Sequence, residues 1–179
     1  DASDEKGEEE AGKAQAAGHG RSWPQDTAIF TYQGIGLSAM GIHRPYIAQL
    51  LTDTGNRGPL KILDVGPGSG QDGLALHTLG FLVSFLEIYG TSVKFLLWRL
   101  MERRLNNPVY LWPHNDLVPH QDIAICFDVL EHLEPGPRTE LLLWLGKTAD
   151  AVYTNVIIDN KNDALHKRQT LEEVIAPLL

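Results

Sequence analysis

The sequence predicts an α/β protein: a doubly wound parallel sheet of about five strands, with helices on both faces. Three observations predict it. From Leu60 onward, short runs of Val, Ile, Leu and Phe alternate with longer segments whose apolar residues have helical spacing. The runs are rich in Val, Ile, Leu and Phe, as strands covered on both faces require. The first run leads directly into a glycine-rich turn, LKILDVGPGSGQDG over 60–73, with four glycines in eight residues.

The 179 residues are 43% hydrophobic, enough for one domain with a core of its own. Residues 1–20 carry no large apolar side chain and read as a disordered acidic tail. Residues 21–59 read as an N-terminal flap and helix, and 60–179 as the main domain. The helix is expected over 44–52, opened by Arg44-Pro45, with a loop at 55–59. Then follow a strand over 61–65, a helix over 70–80 ended by Gly80, and a strand over 82–88. The helix over 92–104 has basic residues in its last turn, where they suit its dipole. Strands are expected over 109–113 and 122–129, a helix over 135–149 with Pro137 near its start, and a strand over 151–158. A Thr170/Glu173 capping box opens a last helix over 170–179. Crossovers in such a sheet are right-handed. Ligands bind beyond the carboxyl ends of the strands, where the strand order reverses.

Composition excludes several classes. No apolar run is long enough to span a bilayer, and the acidic N-terminus lacks the apolar stretch of a secretory signal. The first residue is Asp, which reads as a processed chain or one cut from something larger. A single cysteine, Cys126, rules out an internal disulfide and a cysteine-based metal cluster. It suits an intracellular compartment, cytoplasmic or organellar matrix. The formal charge is −8, half of it from residues 1–13, where six acids face two lysines. The remainder is mildly acidic, so nucleic acid is not a favoured partner.

Glycines after a strand and before a helix let a ligand approach bare backbone at a helix N-terminus. Two registers fit. Gly68-x-Gly70-x-x-Gly73 spells the dinucleotide fingerprint. Asp64-x-Gly66-x-Gly68-x-Gly70 spells D-x-G-x-G-x-G. The strand favours the second, because KILDV runs straight into Gly66. That register puts Asp64 at the strand end facing the crevice, where a carboxylate suits a cationic or amine-bearing ligand and repels a pyrophosphate.

LDVGPGSG resembles motif I of the class I S-adenosylmethionine-dependent methyltransferases, and by element order the resemblance extends over roughly 40–179. It implies a Rossmann-like fold with S-adenosylmethionine as cofactor and an O or N nucleophile as acceptor. It implies that Gly66, Pro67, Gly68 and Gly70, beside Asp64, carry the methionine portion of the cofactor. It implies that Glu87, next to Ile88 and seventeen residues after Gly70, holds the ribose hydroxyls through charge-assisted hydrogen bonds. Asn115, Asp116 and Leu117 in HNDLVPH fall where the family touches the adenine. CFDVLEHLEPG over 126–136 resembles the following motif. There Asp128 lines the cofactor site, Glu131 steadies the loop or meets substrate, and His132 is placed as a general base. D-x-x-E-H also resembles the metal-binding E-x-x-E-H of some relatives, but its first acid is Asp, and we read the site as metal-free.

Tyr32 and His43 precede the domain, where related enzymes place a flap. Trp98 and Trp144 fall among leucines and read as packing residues. The two strands that usually finish such sheets have no counterpart before Leu179, which leaves the fifth strand as an edge open to a protein partner. Two other functions fit the sequence less well. One is a methyltransferase-like, non-catalytic subunit of a larger assembly, ribosomal or organellar. The other, from the first glycine register, is an NAD-dependent reductase.

Overall fold

The computed structural model describes residues 41–55, 58–156 and 170–176, without the side chains of residues 173 and 175. The acidic tail, the flap up to residue 40 with Tyr32, residues 157–158 of the fifth predicted strand and the end of the last predicted helix lie outside the described residues.

The described elements follow the expected alternation. They are α1 (Arg44–Thr54), β1 (Lys61–Val65), α2 (Gln71–Thr78), β2 (Leu82–Ile88), α3 (Thr91–Glu102), β3 (Val109–Trp112), β4 (Gln121–Cys126), α4 (Pro135–Thr148), β5 (Ala149–Thr154) and α5 (Leu171–Ile175). Short 3₁₀ turns lie at Asn115–Leu117 and Leu130–His132. The sheet has five strands in the order β3-β2-β1-β4-β5, every pair parallel. The order reverses between β1 and β4, so the crevice opens beyond Val65 and Cys126.

Strand alternation divides the core in two. Ile62, Val83, Phe85, Ile123 and Ile125 pack on one face with Leu50 of α1, Leu74 and Leu76 of α2, and Leu96 and Leu100 of α3. Leu63, Val65, Leu86, Ala124 and Cys126 pack on the other with Leu141, Leu142 and Leu145 of α4 and Val174 of α5. Each fully buried leucine contributes about 1.5–3 kcal/mol through removal of apolar surface from water. Arg138 is buried in α4, where its Nε donates to the Leu130 carbonyl at 3.2 Å and its Nη2 to that of Leu133 at 2.8 Å. Those bonds tie α4 to the 3₁₀ turn after β4.

Several details differ from expectation. β4 stops at Cys126, short of the expected 129, and β5 stops at Thr154, before residues 155–156. β4 starts one residue early, because Gln121 pairs with Ala149 and its buried amide donates to the Pro119 carbonyl at 2.6 Å. β5 starts two residues early, since α4 passes into it with no intervening turn. Trp98 is not a core residue. The buried stripe of α3 is Val93, Leu96 and Leu100, which turns Trp98 outward, 52% exposed and stacked on Phe95.

Candidate active site at the strand-order reversal

β1 ends at Val65 and the chain turns at once at Gly66, whose N–H donates to the Leu86 carbonyl of β2 at 2.9 Å. The turn therefore begins at the first glycine of the D-x-G-x-G-x-G register. Gly68 and Gly70 have φ of +52° and +74°, a region that only glycine enters freely. Their surroundings differ. A side chain on Gly70 would strike Leu96 at 2.4 Å, whereas the space beside Gly68 is open to at least 4 Å. Gly70 packs against the core, and Gly68 has open space beside it.

Glu87, at the end of β2, reaches this loop. Its Oε2 accepts from the Gly68 N–H at 3.0 Å and its Oε1 from the Ile88 N–H at 2.8 Å. Burial pushes its carboxyl up to about 7, against the pull of those two donors. Asp64 lies on the same face but is turned away from the crevice, contrary to expectation. It is 5% exposed, and its Oδ2 accepts from the Gly73 N–H at 3.0 Å. Residue alternation points it at the first turn of α2, where free backbone donors need an acceptor. Burial first, then the charge of Asp72, raises its carboxyl well above the usual range.

A second cluster closes the other side. His43, the residue before α1, stands between two acids. Its Nδ1 is 2.5 Å from Asp72 Oδ2 on α2, and its Nε2 is 2.9 Å from Asp128 Oδ2 just after β4. Asp128 has φ of +52°, uncommon for a residue with a side chain. Its N–H donates to Asn155 Oδ1 at 2.8 Å, while the Asn155 amide donates back to Asp128 Oδ1. Arg99 of α3 braces the glycine loop from behind, donating to the Ser69 carbonyl at 2.5 Å and to Gln71 Oε1 at 3.1 Å.

No protein-family model matches the chain, and no curated protein matches it in sequence. Solved structures do match. Magnesium protoporphyrin IX methyltransferase (ChlM) from Synechocystis PCC 6803 with bound SAM superposes with a TM-score of 0.64 at 21% identity, over 90% of this chain and 74% of that one. The same enzyme with bound SAH gives 0.63 at 18% identity, over 92% and 80%. TehB from Haemophilus influenzae gives 0.51 at 23% identity, over 64% of this chain and 38% of TehB. This is the class I methyltransferase fold.

Within that fold the residues expected from the sequence separate into groups. Gly66, Pro67, Gly68, Gly70, Glu87 and Ile88 gather at the carboxyl ends of β1 and β2, and Asp128 stands across from them at the end of β4. Asp116 and Leu117 are exposed on the 3₁₀ turn after β3, Leu117 by 69%. Asn115 on the same turn faces inward. Its Nδ2 donates to the Pro113 carbonyl at 2.6 Å and its Oδ1 accepts from Trp144 Nε1 at 2.9 Å, which pins the turn to α4. The expected adenine contact of Asn115 gives way to this structural one. Glu131 and His132 part company as well. His132 is half-buried at the crevice side, near enough to Asp128 to help lower its carboxyl, mainly as His43 does. Glu131 is 1% exposed and sits in the core, where its charge, after burial itself, helps raise the Cys126 thiol.

Asp72, Asn155 and Arg99 carry no motif and were not singled out in the sequence. His43 was noted only as a flap residue. A charged residue in the first turn of the glycine-loop helix is the one local signal that pointed at Asp72.

Proposed function

We propose that this chain is an S-adenosylmethionine-dependent methyltransferase acting on an O or N nucleophile. The observation that carries the proposal is the meeting of Gly68 and Glu87: an open patch of backbone beside a buried carboxylate that now accepts two backbone N–H donors. Carboxylate oxygens so placed can take the two hydroxyls of a ribose, while the bare peptide at Gly68 leaves room for an amino-acid end. Asp72 and Asp128, two acids sharing the single imidazole of His43, leave this side of the crevice net negative, which suits a ligand with ammonium and sulfonium groups and opposes a pyrophosphate. That disfavours a nicotinamide dinucleotide. The ChlM structures that hold SAM and SAH support the same cofactor.

When bound, the cofactor supplies a sulfonium-activated methyl group. The protein contributes alignment and exclusion of water. Glu87 and the glycine loop orient the ligand, and the 3₁₀ turn with Asp116 and Leu117 flanks the adenine end. His132 is the group we assign to remove a proton from the acceptor. Calorimetry with S-adenosylhomocysteine tests the reading. Wild type binds with micromolar affinity, about −7 to −8 kcal/mol, and Glu87→Ala binds at least about tenfold more weakly. Absence of binding to folded wild type, or an unchanged affinity in Glu87→Ala, contradicts it.

A further inference from the structure

We propose that His43 is a positioning residue of this site: bridging Asp72 and Asp128, it clasps the start of α1 onto the carboxyl edge of the sheet and so holds the crevice in its ligand-binding shape. The ligand half of this inference rests on the cofactor reading above; the clasp itself does not.

Three elements that are remote in sequence meet at one imidazole. The partners lie 29 and 85 residues away, one on the first turn of α2 and one beyond β4. Both partners are carboxylates, which accept and do not donate when ionised. Both ring nitrogens must then carry protons, so the ring is an imidazolium joining two anions. Its side chain is only 15% exposed, and the acids 24% and 29%. Screening by solvent is therefore partial. The ring also packs 5.3 Å from Phe127 and 6.2 Å from Tyr46, which themselves stand 5.3 Å apart. Burial opposes its charge, but the bonds to Asp128 and Asp72 and the charges of both acids outweigh it and raise the imidazole to about 10. The groups facing this ring are Asp72 from α2, Asp128 from the end of β4, the more distant Asp64 from β1 and Tyr46 from α1, with His132 acting on Asp128.

The clasp matters because of what it divides. Asp128 has one oxygen on Asn155 and the other on His43, and its backbone is left-handed, a conformation that aspartate adopts more readily than most residues. Without His43 one of its two anchors is gone. α1 has no side-chain cap at its N-terminus, so His43 is also what fixes that end, while Leu50, Ile47 and Leu51 hold the helix body in the core. Loss of the clasp frees the start of α1 and the Asp128 turn together, without dissolving the fold.

Three measurements on the full chain decide the matter. In wild type, ¹⁵N spectra at pH 8 show both His43 ring nitrogens protonated, with titration only above about pH 9. A ring that titrates near 6.5 overturns the proposal, and this arm needs no variant to fold. In His43→Ala, hydrogen exchange of the Arg44, Ile47 and Ala48 amides at the start of α1 speeds up by about tenfold or more while β1 and β4 keep wild-type protection. Unchanged α1 exchange overturns the clasp. The affinity for S-adenosylhomocysteine falls by about tenfold in His43→Ala and by less in Asp72→Asn, which keeps the Asp128 arm. Faster α1 exchange with unchanged affinity overturns the coupling. If wild type binds no S-adenosylhomocysteine, the cofactor reading and the coupling both fall, and the ring titration and exchange still judge the clasp.

Discussion

Two glycines two residues apart make a controlled experiment. Gly68 and Gly70 have similar left-handed backbones, so alanine at either position pays the same conformational penalty, about 1–2 kcal/mol. They differ in what a methyl group meets. At Gly68 there is nothing within 4 Å. At Gly70 the methyl lands 2.4 Å from Cδ1 of Leu96, a residue with 0% exposure, with Phe85 3.7 Å away. Leu96 cannot swing clear, and overpacking of this kind adds about 1–3 kcal/mol. Gly68→Ala should therefore lose about 1–2 kcal/mol and Gly70→Ala about 2–5 kcal/mol. At about 2–4 °C per kcal/mol for a chain of this size, Gly68→Ala melts only a few degrees below wild type, and Gly70→Ala falls further by about 2–12 °C. Urea and thermal unfolding measure both. Binding should reverse the ranking relative to stability. The methyl on Gly68 enters the open space beside the glycine loop, so the mildly destabilised protein loses S-adenosylhomocysteine affinity by about tenfold or more. If Gly68→Ala is as unstable as Gly70→Ala, or binds ligand as wild type does, the assignment of the open face is wrong.

Other outcomes follow from the same geometry. Glu87 titrates near 7 in the free protein, so S-adenosylhomocysteine affinity measured by calorimetry should climb from pH 5.5 to 8.5 with a bend near 7, and Glu87→Gln should flatten the curve. His43 has its folded pKa raised to about 10 from an ordinary 6.5. Its contribution to stability is then fully present below pH 6.5 and is lost as pH rises through 10. The gap in unfolding free energy between wild type and His43→Ala should narrow across that window. Leu96→Ala should cost about 2–5 kcal/mol in urea unfolding, whereas Trp98→Ala on the same helix, which loses a half-exposed ring stacked on Phe95, should cost less, about 0.5–1.5 kcal/mol.

The elements that position the site were legible where the signal was local. KILDV and LVSFLEI are strands over the residues expected, because burial on both faces favours runs rich in Val, Ile, Leu and Phe, and the polar residues they do carry, Asp64, Ser84 and Glu87, are buried with hydrogen-bond partners. The start of β4 was not legible, since a buried Gln121 is tolerated only through its bonds to Pro119 and Ser84, partners that no pattern reveals. The turn at Gly66 was readable from the strand that runs into it, and Glu87 was singled out only through the family resemblance; that Glu87 reaches the glycine loop at Gly68 follows from β1 and β2 being neighbours. The contacts of Asp64 and Asn115 were not legible for one reason: a polar side chain at a strand end can serve a ligand or a neighbouring backbone, and the sequence does not say which. Asp64 serves Gly73, and Asn115 serves Pro113 and Trp144. The His43 clasp joins residues up to 85 apart through side chains alone, so only the folded chain displays it.

The account stands on a cationic nucleoside occupying the crevice between the glycine loop and Glu87. Side-by-side calorimetry of the wild-type chain with S-adenosylhomocysteine and with NADH puts that to the test. Saturable, one-to-one micromolar binding of S-adenosylhomocysteine with no heat from NADH is the expected result. Binding of NADH with no response to S-adenosylhomocysteine would contradict it.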